Sequence, residues 1–413
     1  MKYNFRELSD KYIAQGCTTY SKRYDQFIEG LYPTHVHPYV RNKKDDNSIF
    51  TCSNSDDYNL IATKSYIDLG GLGSNLFYKE NNFSLPSFKE CLFAEMLVKM
   101  VDIENFQKIK IYKTGSQACE MAVRFARAFK NESMIWFSGY HGTHDTFISH
   151  EIPGAGTIGK EHSRKFDTLN ELIVALKDID YDQTHLKYIK KPAMVMIEPV
   201  ILDDTIVNRV LVHEIIKLCK KNDILTCFDE IVSGFRYKGY TYSKSIGANP
   251  DLICLGKGLG EGHPLSVLGG IADIMDNPAV FSSNTCNGEE KALSVAGCVL
   301  EKLKTFDYDT FKKNGDDFIE ELNIAFIGHG LDIKIKGTHC RCTIIGDETQ
   351  TAQFWKGMLS RGYLMGKSIF FSLSWERTDY TRLICECLMV IQELDKYKLT
   401  ENEKLPRPVF KRY

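Results

Sequence analysis

The stretch Phe228-Asp229-Glu230-Ile231-Val232-Ser233-Gly234-Phe235-Arg236, read together with Leu255-Gly256-Lys257-Gly258 downstream, decides the fold. Each follows an apolar run and breaks into charged or glycine residues, the form of a buried strand opening into a loop. An acid and an amine placed just after two such strands can hold the two ends of one flat ring. Lysine suits an imine with an aldehyde, because its charge is removed readily when it is buried. Such an imine is an electron sink only while the ring nitrogen stays protonated, and a carboxylate against that nitrogen keeps the proton on. Lys257 is therefore the candidate Schiff-base residue for an aldehyde cofactor, and Asp229 the candidate partner of its ring nitrogen.

Working outward, short apolar runs predict strands at 109–112, 134–137, 193–197, 224–228 and 252–255, with helices of amphipathic period between them. That alternation is the pattern of a largely parallel sheet in an α/β fold, with helices flanking it. Each run is followed at once by polar or glycine residues: Thr114-Gly115-Ser116, Gly139-Tyr140-His141-Gly142, Glu198-Pro199, Asp229-Glu230 and Gly256-Lys257. Ligands of open α/β sheets bind at the carboxyl ends of the strands, so these groups converge on one edge. Residues 1–65 read as an N-terminal arm, with a helix over 9–29 broken near Gly16, and 66–298 as the large domain. Residues 299–413 read as a smaller α+β domain, with helices near 300–303, 311–324, 352–360 and 380–395 and strands near 333–336 and 341–345.

Composition narrows the function. With 413 residues, 43% hydrophobic and 26% charged, the chain is an ordinary globular one. A net charge of −2 gives no reason to expect a nucleic-acid or anionic-membrane partner. No apolar run approaches membrane-spanning length, and Met1-Lys2-Tyr3-Asn4-Phe5-Arg6-Glu7 lacks the apolar core of a signal peptide. The 13 cysteines are irregularly spaced, which fits reduced thiols and a cytoplasmic location.

Several residues are weighed against blander roles. Thr114-Gly115-Ser116-Gln117-Ala118 opens a helix; taken alone it is an ordinary N-cap, but beside the other strand ends it reads as a phosphate site. Tyr140 offers an aromatic face to a flat cofactor or, alone, to a core. His141, His144 and Asp145 have metal-like spacing but no matching further ligand, and no metal is expected. His339-Cys340-Arg341-Cys342 and His35-Val36-His37 read as structural. Glu198 ends an apolar strand, where a carboxylate must find a partner, and Arg236 reads as a structural partner for a carboxylate.

From about Gly16 to Asp379 the chain resembles the class III aminotransferases of fold type I, in the branch of the glutamate-1-semialdehyde aminomutases. Thr114-Gly115-Ser116-Gln117-Ala118 is similar to that family's phosphate loop, with Gln117 where Glu is usual, and Gly139-Tyr140-His141-Gly142 to the element whose ring stacks on pyridoxal phosphate. Glu198-Pro199-Val200 and Phe228-Asp229-Glu230-Ile231 match family motifs, which implies Ile231 on the ring face opposite Tyr140 and places His141 and Glu198 on the cofactor side. The segment from Pro250 to Lys257 resembles the Schiff-base segment, with 28 residues from Asp229 to Lys257. Val232 stands where GABA- and ornithine-type enzymes carry Gln. The resemblance implies Thr285 as the partner subunit's phosphate ligand, Arg23 as a contact for a substrate anion, and Lys367 in the area of the aminomutases' gating Glu. The family's Gly-Asn-Pro after Thr285 and its Asp-Gly before Tyr66 are absent.

The resemblance implies a pyridoxal-phosphate enzyme acting as a homodimer with its active sites at the subunit interface. Its substrates would be a small-molecule amino donor and a carbonyl acceptor. The expected activity is an aminotransferase acting on a small anionic aldehyde or ketone. An aminomutase is the nearest rival, followed by a decarboxylase and a non-catalytic cofactor-binding protein. Gly256-Lys257-Gly258 is not a nucleotide-binding loop, since Gly258 rather than Ser or Thr follows Lys257 and the P-loop spacing is absent.

Overall fold

In a computed structural model of the chain, residues 5–19, 22, 35–37, 48–52, 64–67, 85–151, 156–158, 160–182, 190–366 and 368–400 are described. The chain divides into two compact units, one of residues 1–199 with 211–305, the other of residues 200–210 with 306–413.

In the first unit, β1 (His35–His37), β2 (Ser48–Cys52) and β3 (Lys64–Ile67) form a small antiparallel sheet. The main sheet comprises β4 (Lys108–Tyr112), β5 (Ile135–Ser138), β6 (Ser163–Lys165), β7 (Met194–Ile197), β8 (Leu225–Asp229), β9 (Leu252–Leu255) and β10 (Ser266–Gly270). Its spatial order is β4-β10-β9-β8-β7-β5-β6; β10 runs antiparallel to both neighbours and the remaining pairs are parallel. The fold is thus the mostly parallel α/β sheet that the strand pattern predicts.

Both faces of the sheet are covered, which is why its strands are continuous apolar runs rather than alternating ones. Ile135, Phe137, Met194, Met196 and Cys227 pack on one side with Ala118, Ala122 and Phe125. Trp136, Val195, Ile197 and Phe228 pack on the other with Leu172, Leu176, Val212 and Ile215.

The chain's first helix, α1, spans Phe5–Tyr12. Of the predicted helix over 9–29 broken near Gly16, residues 9–12 lie in α1 and the break is present: Ile13 to Gly16 form a tight turn in which Gln15 (φ 57°) and Gly16 (φ 65°) take left-handed conformations, while residues 20, 21 and 23–29 lie outside the described residues. The cause is long-range. Lys110 of β4, fully buried, donates to the carbonyls of Ala14 (3.1 Å) and Cys17 (2.6 Å) and to Gln15 Oε1 (3.2 Å). A second buried cation, Lys22, lies 3.1 Å from Glu90 Oε1. Glu90 sits in the first turn of α2 (Phe88–Val101), where it forms a capping box with Ser87.

Helix α3 (Gly115–Lys130) is capped by Thr114, whose side chain accepts from the Gln117 amide while the Gln117 side chain accepts from the Thr114 amide. Glutamine thus completes the same reciprocal cap that glutamate would. Asn131 ends the helix in a left-handed conformation (φ 52°).

The second unit carries the antiparallel strands β11 (Ile333–Thr338), β12 (Arg341–Gly346) and β13 (Ile369–Phe370), with helices Tyr308–Gly328, Glu348–Ser360 and Arg377–Gln392. Ile333 and Ile335 point inward along β11, and Phe318, Phe371 and Tyr380 form an aromatic cluster.

Candidate active site

The carboxyl ends of β4, β5, β7, β8 and β9 deliver the candidate residues. Asp229 ends β8 and is 6% exposed, with its Oδ1 accepting from the Ile231 amide at 3.1 Å. Its Oδ2 faces His141 Nδ1 at 2.8 Å and accepts from the Cys119 thiol at 3.4 Å. The far nitrogen of His141 lies 3.2 Å from the carbonyl of Ser138. That carbonyl can only accept, so Nε2 carries a hydrogen there, and a further hydrogen lies between Nδ1 and Oδ2. His141 is thereby held by both nitrogens, one of them against Asp229.

Cys119, His141 and Asp229 also form a compact set of metal-binding atom types. Their spacing argues otherwise. Tetrahedral zinc bonds of about 2.0–2.3 Å keep ligand atoms more than about 3 Å apart, whereas His141 Nδ1 and Asp229 Oδ2 are at hydrogen-bond distance, 2.8 Å.

Ile231 ties three strand ends together. A Cβ on Gly115 would come within 2.5 Å of its Cδ1, and one on Gly256 within 3.5 Å of the same atom. The start of α3 and the residue before Lys257 therefore both close on one side chain. Ser266 of β10 donates to the Thr114 carbonyl at 2.7 Å, which fixes the entry into α3. Ser116 Oγ accepts from the Thr143 amide at 3.1 Å, and Gly142 (φ 103°) packs so closely that a Cβ there would meet Ser116 Cα at 2.7 Å.

Glu198 finds its partner in the site itself: Oε1 accepts from the Tyr140 amide at 2.9 Å. Tyr140 is 44% exposed, presenting its ring rather than burying it. Arg236 donates from Nε to the Val232 carbonyl at 3.0 Å.

Lys257 opens a short helical turn with a left-handed backbone (φ 42°), a conformation unusual for any residue but glycine. Its side chain is exposed in the single chain rather than buried. Thr285 is also exposed, while Arg23 and Lys367 lie outside the described residues.

Two contributors escaped sequence reasoning. Glu230, fully buried, accepts from the Tyr242 amide (2.6 Å), the Ser243 amide (2.8 Å), the Ser243 hydroxyl and the Ser233 hydroxyl (3.1 Å). Burial still pushes its carboxyl above the usual range. It locks the loop that follows Asp229. Cys119 is the other; its only signal was its place four residues after Gly115, one turn along the same face of α3.

The donor set suits pyridoxal phosphate: α3 begins at Gly115, so its N-terminus can meet a phosphate, and Asp229 ends β8 as a carboxylate able to meet a ring nitrogen.

The class-III aminotransferase family model matches residues 81–369. The chain is similar to glutamate-1-semialdehyde 2,1-aminomutases from Syntrophus aciditrophicus (26% identity over 346 residues, 76% of this chain and 79% of that one) and from Methanopyrus kandleri (27% over 264 residues, 61% of each). The match thus spans about three fifths of the Methanopyrus kandleri protein's length. Its fold is that of a transaminase solved with PLP bound (TM-score 0.64, 17% identity, 94% of this chain and 96% of that one). An omega-transaminase from Sphaerobacter thermophilus is equally similar in fold (TM-score 0.65, 16% identity, 95% and 97%). The chain belongs to the class-III aminotransferases, pyridoxal-phosphate enzymes of fold type I.

Proposed function

We propose that this chain moves an amino group from an amino-acid donor to a small anionic aldehyde or ketone. The observation that carries the proposal is the braced Asp229 carboxylate on the same sheet edge as the amine-bearing loop of Lys257 and the capped start of α3. When bound, pyridoxal phosphate supplies an electron-withdrawing ring that stabilises negative charge on the carbon beside the amine.

The roles divide by position. Gly115 and Ser116 would hold the phosphate with the helix N-terminus, Tyr140 and Ile231 would flank the ring, and Asp229 would hold the ring nitrogen's proton. Glu198 fixes Tyr140 through its amide, and His141 steadies Asp229. Lys257 would hold the cofactor through its aldehyde group and would serve as the acid and base for the proton transfer. Two copies of the chain would complete each site, Thr285 coming from the partner, and Arg23 and Lys367 would meet the substrate's anionic group. The free thiols among the described residues fit a cytoplasmic enzyme.

A second reading, an intramolecular aminomutase, is favoured by the names of its curated relatives. One experiment separates them: purified protein with pyridoxal phosphate is given single amino donors, and loss of the visible band is followed together with keto-acid release. A donor that bleaches the band and appears as its keto acid supports the transferase. Turnover of an amino aldehyde with no donor supports the mutase. Lys257→Ala with full turnover and no added amine ends both readings.

A further inference from the structure

Cys119 is 1% exposed and lies in the apolar cluster under the sheet edge, where a small side chain needs no further role than filling space. Its sulfur, however, sits 3.4 Å from Asp229 Oδ2, the same oxygen that faces His141. Cys254 is the cross-strand neighbour of Asp229 in β9, and its sulfur lies 4.0 Å from that of Cys227. The groups facing Asp229 and Cys119 are thus His141 from the loop after β5, Cys227 from β8 and Cys254 from β9. A carboxylate is a far better acceptor than a thiol sulfur, so the Cys119 hydrogen goes to Asp229. Contact with Cys254, burial and the Asp229 charge all hold the Cys119 thiol well above its usual range, so it remains a donor throughout the working pH range.

We propose that Cys119 is a positioning residue whose thiol donates to Asp229 Oδ2 and so limits how strongly that carboxylate holds the cofactor's ring-nitrogen proton. This rests on the functional reading above, in which Asp229 meets that nitrogen. Helix α3 then acts at both ends of the cofactor: its first turn at the phosphate and its second, through Cys119, at the ring nitrogen. Removing the donor leaves more of the Asp229 charge facing the ring, and a group conjugated to that ring keeps its proton to higher pH.

The test contrasts two substitutions in the full chain loaded with pyridoxal phosphate. Cys119→Ser keeps a donor but loses apolar volume, whereas Cys119→Val keeps volume but loses the donor. The pH midpoint of the visible band is expected to rise by roughly half a unit in Cys119→Val, a thiol being a weak donor, and to stay near the native value in Cys119→Ser. If Val keeps the native midpoint while Ser moves it, Cys119 only fills space and the proposal is overturned. Infrared difference spectra of native protein minus Cys119→Val, taken without cofactor, supply an independent readout. A S–H stretch lowered as in a thiol bonded to a carboxylate supports the proposal, and a free-thiol position overturns it. A protein that stays colourless with pyridoxal phosphate sinks the functional reading instead, while the infrared result still decides the Cys119 bond.

Discussion

Lys257 holds a left-handed backbone with φ 42°, although its side chain is the amine on which the proposed function rests. Such a conformation costs a non-glycine residue about 1–3 kcal/mol, and the cost is retained only where the surroundings or the reaction require it. Glycine alone would be comfortable there. We expect Lys257→Gly to unfold at higher urea than Lys257→Ala, by about 1 kcal/mol, with neither variant turning over without added amine. Equal midpoints would mean that the turn relaxes in solution. The strand ends that carry Asp229 and Lys257 were legible because each apolar run there breaks into a charge or a glycine, a signal carried by one residue and its immediate neighbours. The bracing of Asp229 by Cys119 was not, since a cysteine in an apolar helix face reads the same whether it donates or merely packs. Strand β10 was not among the predicted strands: Gly269 and Gly270 weaken its pattern, yet a Cβ at Gly269 would come within 2.1 Å of the Phe106 ring and one at Gly270 within 2.4 Å of Leu252.

At the scale of elements, the predicted strands stand where the apolar runs put them, because a strand covered on both faces has to be continuous and apolar. The turn that follows the N-terminal helix is held from afar. Two buried lysines act there, Lys110 drawing in the carbonyls of residues 14 and 17, and Lys22 meeting Glu90, across sequence separations of 96, 93 and 68 residues. No period of 3.6 residues encodes such partners. The Lys22–Glu90 pair also makes a specific expectation possible, because both side chains are fully buried. Thr18 hydrogen-bonds Glu90 as well, and the Ser87 amide donates to it at 3.1 Å. Lys22→Met would fill the same space but leave the Glu90 charge without its cation. Removing one partner of a buried pair costs about 3–5 kcal/mol, and we expect a loss toward the lower figure, since the neighbouring donors remain. Replacing both residues together, Lys22→Met with Glu90→Gln, should recover part of it. Chemical denaturation of the single and double variants measures this, and a single variant as stable as the native chain would remove the pair from the account of how this segment is held.

Over the whole molecule, stability follows pH through groups whose proton affinity changes on folding. Glu290, at the start of the helix Glu290–Leu303, is 3% exposed and lies 3.0 Å from Lys89. Burial pushes its carboxyl above the ordinary 4.5, with Ser87 and Lys89 working in the opposite sense and the charge of Glu90 adding to the rise. The sign follows from proton counts: between the unfolded and the folded values, the native chain binds more protons than the unfolded one. The contribution of Glu290 is therefore fully present below pH 4.5 and is lost as pH rises through its folded value. Each unit of separation amounts to about 1.4 kcal/mol. Glu230 is raised by burial too, so the native curve contains both groups, and a substitution is needed to isolate one. In Glu290→Gln the amide cannot ionise, and the stability difference between native chain and variant should shift in the variant's favour as pH climbs past 4.5, then level off. Urea midpoints taken from mildly acid to neutral pH test this directly. A difference that stays constant over that range would show that Glu290 titrates alike in both states, and that Lys89 offsets its burial completely.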